Sequence, residues 1–385
     1  MLSNKSEEEI TLINQNVFFK EFTFDKNDFM IDNQSKVELA DNILWLDDLL
    51  IIIQIKEKNL KGSSSVDTWL RNKVLNKAKN QIKKTHEYLL ANTSIPIANR
   101  RNQKHILNIR GIKVVHNLII YKAECSHDIS SAPSKYITKE DRFIHFLRLE
   151  DYGHICRYLI TPVELSEYLF FREEFLRKNN VAGNLPEQYM LAHFFQNPTD
   201  LTLNFLYLQK LSGICKRILQ TENDFYIGYF LSMMKDTLYG DNGSSDYLHI
   251  IRELARMNRE EMKIFKERFR VVITEDPKSL PVLMKRFALE RTDCGFVLMK
   301  LNRKFETDWY NALTNFTIEY KYRRKLGKCV GLVVLPDGEY FNLKWCYIQE
   351  KWQYDAFLEE MVKEDIEING KGKRREYLHY KDLIN

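Results

Sequence analysis

Residues 41–56 read DNILWLDDLLIIIQIK, two short apolar runs separated by the acidic pair Asp47 and Asp48. Apolar, β-branched runs on either side of a two-residue turn are typical of an antiparallel hairpin. The pattern predicts strands over residues 42–46 and 49–56. Because the second run is apolar at successive positions up to Gln54, we expect this strand to be covered on both faces, as in the middle of an α/β layer.

Helical patterns flank this hairpin in the sequence. Residues 6–19 repeat apolar side chains at helical spacing, and residues 67–90 read as a longer helix with one apolar and one charged face. Strand-like segments follow at residues 106–123 and 143–149. The order of helix, hairpin, helix and strands predicts an α/β (α+β) fold with a mixed sheet flanked by helices.

The character of the chain changes after Pro162. Helical patterns dominate residues 163–269, and the last third again mixes helix with strand around a hairpin signal at residues 336–338. We therefore expect an α/β domain over residues 1–160, a helical domain over 161–290 and a small α+β domain over 291–385. The helical domain would offer a dimer interface or a surface for a partner protein.

Composition excludes several classes of protein. The chain has 385 residues, 44% of them hydrophobic, and a net charge of +5, which is ordinary for a globular protein. We expect a cytoplasmic protein that does not enter the membrane, since the sequence lacks a bilayer-spanning apolar stretch and a signal-peptide core. Six scattered cysteines without a close pair argue against a zinc cluster and for free thiols. Walker A, Gly-x-Gly-x-x-Gly, Gly-x-Ser-x-Gly and His-x-x-x-His patterns are absent.

Positive charge is concentrated around the second predicted helix. Residues 56–104 contain twelve Lys or Arg against three acids, a net charge of +9 that exceeds that of the whole chain. A local excess of this kind suits a polyanionic partner, although a solvated helix face gives the same pattern. The helix directly after the hairpin places Lys73, Lys77 and Lys84 as contacts for a nucleic-acid backbone.

Polar residues close the predicted hairpin at one end. Asp41 begins the first strand, and strand alternation places Gln54 and Lys56 on one face at the end of the second. Carboxylate, amide and carbonyl oxygens are ligands that Mg²⁺ prefers, so Asp41, Gln54 and the backbone carbonyl of Ile55 would hold Mg²⁺ or Mn²⁺. Lys56 would orient the attacking water and offset developing charge, a constellation that suits metal-assisted hydrolysis of phosphodiester bonds.

This arrangement resembles the PD-(D/E)xK nuclease superfamily, whose members are restriction-endonuclease-like, over roughly residues 1–125. The motif would be Asp41, Gln54 and Lys56. The resemblance implies that an acid of the first helix, Glu7 or alternatively Glu9, supports the metal or the water. It also implies that a glutamine of the following helix, Gln81, contacts nucleic acid. It further implies a metal-dependent nuclease with DNA as the favoured substrate, of the kind found in bacterial restriction and antiphage defence together with partner proteins.

Each of these residues also has a purely structural interpretation. Asp41 would cap the entry to a strand, Lys56 would protect a sheet edge, and Glu7 and Glu9 would favour the helix dipole. The superfamily motif commonly carries Glu where this chain has Gln54, so the metal site would have one negative charge fewer. The alternative function is therefore a catalytically silent nuclease-like fold that binds nucleic acid or serves as a protein scaffold.

Overall fold

The structure is a computed structural model, and it describes residues 5–25, 28–31, 35–58, 65–123, 133–159, 161–179, 185–224, 247–337 and 340–369. Part of the helical pattern that the sequence shows over residues 163–269, namely residues 225–246, lies outside these ranges. The chain divides into two compact units, the first ending at residue 220 and the second covering residues 221–379. Each unit has its own sheet.

The first unit is built on a mixed sheet of six described strands. Its first elements are α1 (Lys5–Phe18), β1 (Thr23–Asp25), β2 (Asp28–Ile31), β3 (Ser35–Glu38), β4 (Asn42–Leu46) and β5 (Leu49–Glu57). A long helix follows, made of α2 (Val66–Trp69), the π-helical segment Leu70–Ala78 and α3 (Lys79–Ala91). The remaining elements are β6 (Ser94–Ala98), β7 (Lys104–Asn108), β8 (Val114–Lys122), β9 (Lys135–Ile137), β10 (Phe143–Arg148), α4 (Leu149–Tyr158), α5 (Pro162–Lys178) and α6 (Glu187–Gln196). Helix α7 (Leu206–Asp224) closes this unit and crosses the division at residue 220.

The strand order of this sheet is β1-β4-β5-β8-β10-β9. Strands β5, β8 and β10 are parallel neighbours, and the other pairs are antiparallel. The pairs β2-β3 and β6-β7 form separate two-stranded hairpins. The predicted mixed sheet flanked by helices is confirmed.

The hairpin of β4 and β5 forms as the sequence predicts. The two strands pair antiparallel from Leu46 opposite Leu49 to Asn42 opposite Ile53. Asp47 in the turn has a φ of 53°, in the left-handed region that aspartate tolerates better than most residues. The first seven residues of β5 are buried, because α1 packs on one face of the strand and α3 on the other.

The spacing of apolar residues in the sequence accounts for the π-helical middle of the long helix over residues 66–91. Its buried residues lie four positions apart, a spacing wider than the 3.6-residue period of an α-helix, at Leu70, Val74, Ala78 and Ile82. A π-helical turn closes between residues i and i+5 and holds one residue more than an α-helical turn. The wider turn keeps this whole stripe against β8 and β10.

Helices α5 and α6 pack on the same face of the sheet as α1. Phe175, Leu176 and Phe194 share one hydrophobic core with Ile53 and Leu118 of the sheet. Helices α5 and α6 therefore belong to the first unit. The predicted boundaries at residues 160 and 290 fall inside the two units, because the observed division lies at residue 220.

The second unit is a four-stranded sheet with helices. Its described elements are α8 (Tyr247–Ala255), α9 (Arg259–Thr274), β11 (Val282–Leu289), β12 (Cys294–Leu301), α10 (Trp309–Arg323), β13 (Lys328–Asp337), β14 (Tyr340–Gln349) and α11 (Ala356–Asn369). The strand order is β11-β12-β13-β14, with β12 and β13 parallel. Gly331 lets α10 lie directly on β13, because a Cβ atom there would overlap Thr317 and Leu313. The predicted α+β arrangement of the C-terminal part is confirmed.

Two further features concern the described part of the chain as a whole. None of its helices is both long and apolar enough to cross a membrane. Its five cysteines are free thiols, as the sequence predicts, and four of them are buried.

A buried polar cluster lies between the sheet and α5. His116 of β8 forms a hydrogen bond of 3.0 Å between its Nε2 and Ser166 Oγ. His145 of β10 lies beside the Arg172 guanidinium, which pairs with Glu187 at 2.8 Å. Burial lowers the pKa of His116 to about 4 and holds the pKa of His145 well below its usual range. Both imidazoles are therefore neutral near pH 7.

We expect the free energy of unfolding to fall as the pH is lowered from 7 to 4. His116 takes up a proton near pH 6.5 in the unfolded chain but only near pH 4 in the folded one, so its stabilisation is present above pH 6.5 and is lost below it. A pKa difference of this size corresponds to about 3 kcal/mol.

The measurement is urea denaturation across this pH range, with wild type compared with His116→Gln. Asp151 acts in the opposite direction, because burial raises its pKa to about 6 and its protonation favours the folded state. The comparison removes that contribution, since both proteins keep Asp151. The variant should lose less stability than wild type, and equal losses would contradict the expectation.

Candidate metal and nucleic-acid site

Strand β5 extends beyond β4 at the end where the predicted site residues lie. The antiparallel ladder ends at Asn42 and Ile53, whereas β5 continues to Glu57 beside β8. The side chain of Asp41, which immediately precedes β4, takes the place of the next ladder partner. Its Oδ2 accepts a hydrogen bond from the backbone N–H of Ile55. The carboxylate is thereby held at the C-terminal end of β5, beyond the last paired residue of β4.

The Lys56 ammonium lies where three oxygen atoms converge. Its Nζ is 3.1 Å from Asp41 Oδ2, 3.4 Å from Gln54 Oε1 and 2.7 Å from the carbonyl oxygen of Ile55. These three oxygens, called the oxygen cluster below, come from the three residues that the sequence predicts as metal ligands. The structure therefore brings together Asp41, Gln54, Ile55 and Lys56, and a cationic group is already at their centre.

Burial makes this arrangement rigid and electrostatically strong. The side chains of Asp41 and Lys56 are 10% and 13% exposed, and Gln54 is 2% exposed. Charges so far removed from water are screened less by salt, and removing one partner leaves the other unpaired. The Asp41–Lys56 pair therefore both organises the site and makes it sensitive to substitution.

The oxygen cluster fits a hard divalent cation. One carboxylate, one amide oxygen and one backbone carbonyl suit Mg²⁺ or Mn²⁺, which complete their shells with water and substrate phosphate. Zinc prefers sulfur and imidazole ligands. Within the described ranges, no group of three or more His, Cys, Asp or Glu side chains is placed to hold a metal. A cation here would depend on the single charge of Asp41, so we expect weak affinity without a phosphate ligand.

The first turn of α1 lies at the same end of β5 and β8. The backbone N–H of Ser6 donates to Glu57 Oε2 at 3.2 Å, and Glu9 pairs with Lys122 at 3.2 Å. Glu57 and Lys122 are the last residues of the two strands and lie side by side. Glu7 is half-buried in this turn, next to Ser6, whose backbone N–H contacts the end of β5. Glu9, the alternative to Glu7, pairs with Lys122 instead.

Sequence reasoning missed the polar residues that lock α1 onto β4 beside the site. Asn42 Nδ2 donates to Thr11 Oγ1 at 3.1 Å, and Asn14 Nδ2 donates to Asn42 Oδ1 at 3.0 Å. The Tyr152 hydroxyl donates to Asn14 Oδ1 at 2.6 Å. All four residues are buried, so each hydrogen bond replaces one to water. The signal in the sequence was a polar pair at positions 11 and 14, beside the apolar stripe of α1.

The helix over residues 66–91 presents the predicted lysines to solvent. Lys73, Lys77 and Lys84 are exposed, and their spacings of four and seven residues place them along one side of the helix. Lys73 and Lys77 belong to the π-helical segment, a geometry that is frequent at functional sites. These three residues form the basic stripe, which is accessible to an anionic partner.

Gln81 differs from these lysines because it faces inward. Its side chain is half-buried, and its Oε1 is buried without a hydrogen-bond partner. One turn further along α3, the Thr85 hydroxyl donates to the carbonyl of Leu39, two residues before Asp41. This face of α3 is thus packed against the entry to β4. An unpartnered amide oxygen there is able to accept a hydrogen bond from a ligand or a water.

Comparisons with protein-family models, with curated proteins and with solved structures find no match to this chain. What the site can do therefore follows from the chemistry of its own residues. A carboxylate and two neutral oxygens beside a lysine suit a divalent cation that bridges to a phosphate.

Replacing Lys56 with methionine should raise the affinity for Mn²⁺. In wild type a divalent cation has to displace an ammonium that already contacts the whole oxygen cluster, and methionine has similar length without the charge. We expect the Kd measured by calorimetry to fall by about fivefold, which corresponds to ~1 kcal/mol.

The matched control is Lys58→Met, which removes the same charge two residues further along the chain. It should leave the Mn²⁺ affinity near the wild-type value, because Lys58 does not contact the oxygen cluster. Unchanged or weaker Mn²⁺ binding by Lys56→Met would show that the ammonium and the metal do not share these oxygens.

Proposed function

We propose that this chain is a metal-dependent nuclease that hydrolyses phosphodiester bonds of nucleic acid, with DNA as the favoured substrate. The observation that carries the proposal is the convergence of Asp41, Gln54 and Ile55 oxygens on one cationic position, now held by Lys56 Nζ. The resemblance of this motif to the PD-(D/E)xK nucleases supports the same function. Its setting would be the bacterial cytoplasm, in a restriction or antiphage defence system.

In this proposal each residue of the site has one role. Asp41, Gln54 and the Ile55 carbonyl would hold Mg²⁺ or Mn²⁺. The bound ion supplies Lewis-acid polarisation of the phosphate and a water of lowered pKa. Lys56, displaced from the oxygen cluster, would donate hydrogen bonds to the attacking water and offset negative charge that develops on the phosphorane-like transition state. Glu7, in the first turn of α1, would support the metal or the water.

The basic stripe would position the substrate. Lys73, Lys77 and Lys84 would contact backbone phosphates, which position a nucleic acid without reading its sequence. The inward amide of Gln81 lies on the same helix, between the stripe and the entry to β4. Its side chain would turn outward to accept a hydrogen bond from the strand that enters the site.

A second candidate function is a catalytically silent module that binds nucleic acid. The oxygen cluster contains one formal negative charge, and Lys56 already neutralises it. If divalent cations could not displace Lys56 from the oxygen cluster, the chain would still bind nucleic acid through the basic stripe but would not hydrolyse it. Salt-dependent DNA binding without any divalent-metal binding would favour this candidate.

Cleavage is tested on supercoiled plasmid, linear duplex, single-stranded DNA and RNA with Mg²⁺ or Mn²⁺. Asp41→Asn removes the one charged ligand and Lys56→Met removes the ammonium, so each should lower the cleavage rate by about 10²-fold or more. The controls are Asp48→Asn and Lys58→Met, which lie outside the oxygen cluster and should cleave at the wild-type rate. Full cleavage by both site variants, with melting curves that show folded protein, would refute the assignment.

Substrate binding is tested by replacing the basic stripe. Glutamine at Lys73, Lys77 and Lys84 should weaken duplex binding similarly for all sequences and reduce the slope of log K against log salt by about 2 to 3, since each phosphate contact contributes ~0.9. A matched triple variant removes three exposed lysines elsewhere in the first unit, Lys113, Lys178 and Lys210. If both triple variants reduce the slope equally, the stripe is not the binding surface.

A further inference from the structure

The second unit contains a cavity of about 450 Å³ at the carboxyl ends of its parallel strands β12 and β13. The chain after α9, the ends of both strands and the start of β14 surround it. In open α/β sheets, ligands bind outside the carboxyl ends of parallel strands. A volume of this size lies within the range of sites for small organic ligands.

One side of the cavity is positively charged. Lys300, only 8% exposed, donates through Nζ to the Glu275 carbonyl at 3.1 Å and to Asp276 Oδ1 at 2.7 Å. Lys278 and Arg303 line the same cavity and are exposed. Three cationic side chains thus face one carboxylate, which leaves two positive charges for an anionic ligand.

Only Asp276 can leave the Lys300–Asp276 ion pair at a small cost in free energy. The Lys300 side chain is 11% exposed, whereas that of Asp276 is 83% exposed. An exposed carboxylate loses little free energy when it turns to water, whereas the buried ammonium needs an anionic partner. A ligand phosphate is therefore able to replace Asp276 at Lys300. Asn302 keeps the opposite loop in place, since its Nδ2 donates to the Lys278 carbonyl at 3.2 Å.

The other side of the cavity is apolar. Leu301 and Val334 are buried at the strand ends, and Pro336 and Phe341 pair across the β13–β14 hairpin. The cavity is much larger than a single phosphate group requires, so its ligand has a second, uncharged part. A half-buried phenylalanine beside a proline gives this side of the cavity an apolar surface against which a nucleobase packs.

We propose that this cavity binds a nucleoside phosphate. Lys300, Arg303 and Lys278 contact the phosphate, and the base lies against Phe341 and Pro336. All of these residues belong to the second unit. The site is therefore independent of the proposed nuclease centre, and either assignment stands if the other fails.

The test is calorimetry on the full chain in EDTA, with ADP, adenosine, inorganic phosphate and a short thymidine oligonucleotide as separate titrants. EDTA keeps divalent cations away from the oxygen cluster of the first unit. We expect ADP to bind at one site per chain, and adenosine and phosphate to bind at least about tenfold more weakly. Absence of ADP binding overturns the proposal. Phosphate that binds as tightly as ADP also overturns it, as does an oligonucleotide that displaces ADP, since tight oligonucleotide binding without displacement belongs to the basic stripe of the first unit.

Variants locate the binding. Arg303→Ala should weaken ADP binding by about tenfold. The control is Lys304→Ala, which removes one positive charge from the next residue. Lys304 is also exposed but does not line the cavity, so this variant should bind ADP like wild type. Phe341→Leu should weaken ADP binding and leave the affinity for phosphate unchanged. Equal effects of the two charge variants would overturn the proposal, as would loss of ADP binding in Lys56→Met.

Discussion

The Asp41 carboxylate ties the end of β4 to the part of β5 that runs past it. It satisfies the Ile55 N–H, which has no ladder partner on that side, and it neutralises the ammonium of Lys56. Without Asp41, the Lys56 ammonium would lack a counter-charge, at a cost of several kcal/mol. The Ile55 N–H would lack an acceptor, at a cost of about 1–3 kcal/mol. The same carboxylate completes the set of oxygens that Gln54 and Ile55 supply around Lys56 Nζ.

The parts of the structure that depend on neighbouring residues could be predicted from the sequence. The hairpin, its turn and the helices on either side follow from apolar spacing and turn residues. The juxtaposition of Asp41, Gln54 and Lys56 follows from strand alternation and a two-residue turn. In each case the residues that decide the outcome lie within about one hairpin of one another.

What could not be predicted depends on residues far apart in the chain. The Glu9–Lys122 pair joins residues 113 positions apart, so local spacing does not reveal it. The docking of α5 and α6 on the sheet, which moves the division of the chain to residue 220, depends on a shared core that periodicity alone does not reveal. The position of the Lys56 ammonium is an exception, because its contacts lie within the hairpin: its amphipathic stem lets it fold back onto its own strand, which alternation of side chains does not show.

The two lysine–aspartate pairs differ in which partner water can reach. In the Asp41–Lys56 pair both side chains are withdrawn, so a competitor has to replace the lysine as a cation. In the Asp276–Lys300 pair the acid is solvated, so the competitor replaces the aspartate as an anion.

The π-helical segment over residues 70–78 makes the fold tolerant of a change in chain length at that place. Each π-helical turn holds more residues than an α-helical turn, so deleting one residue within 70–78 would let α-helix form there while α3 keeps its contacts with β5. The same deletion inside α3 would rotate every following side chain by about 100°.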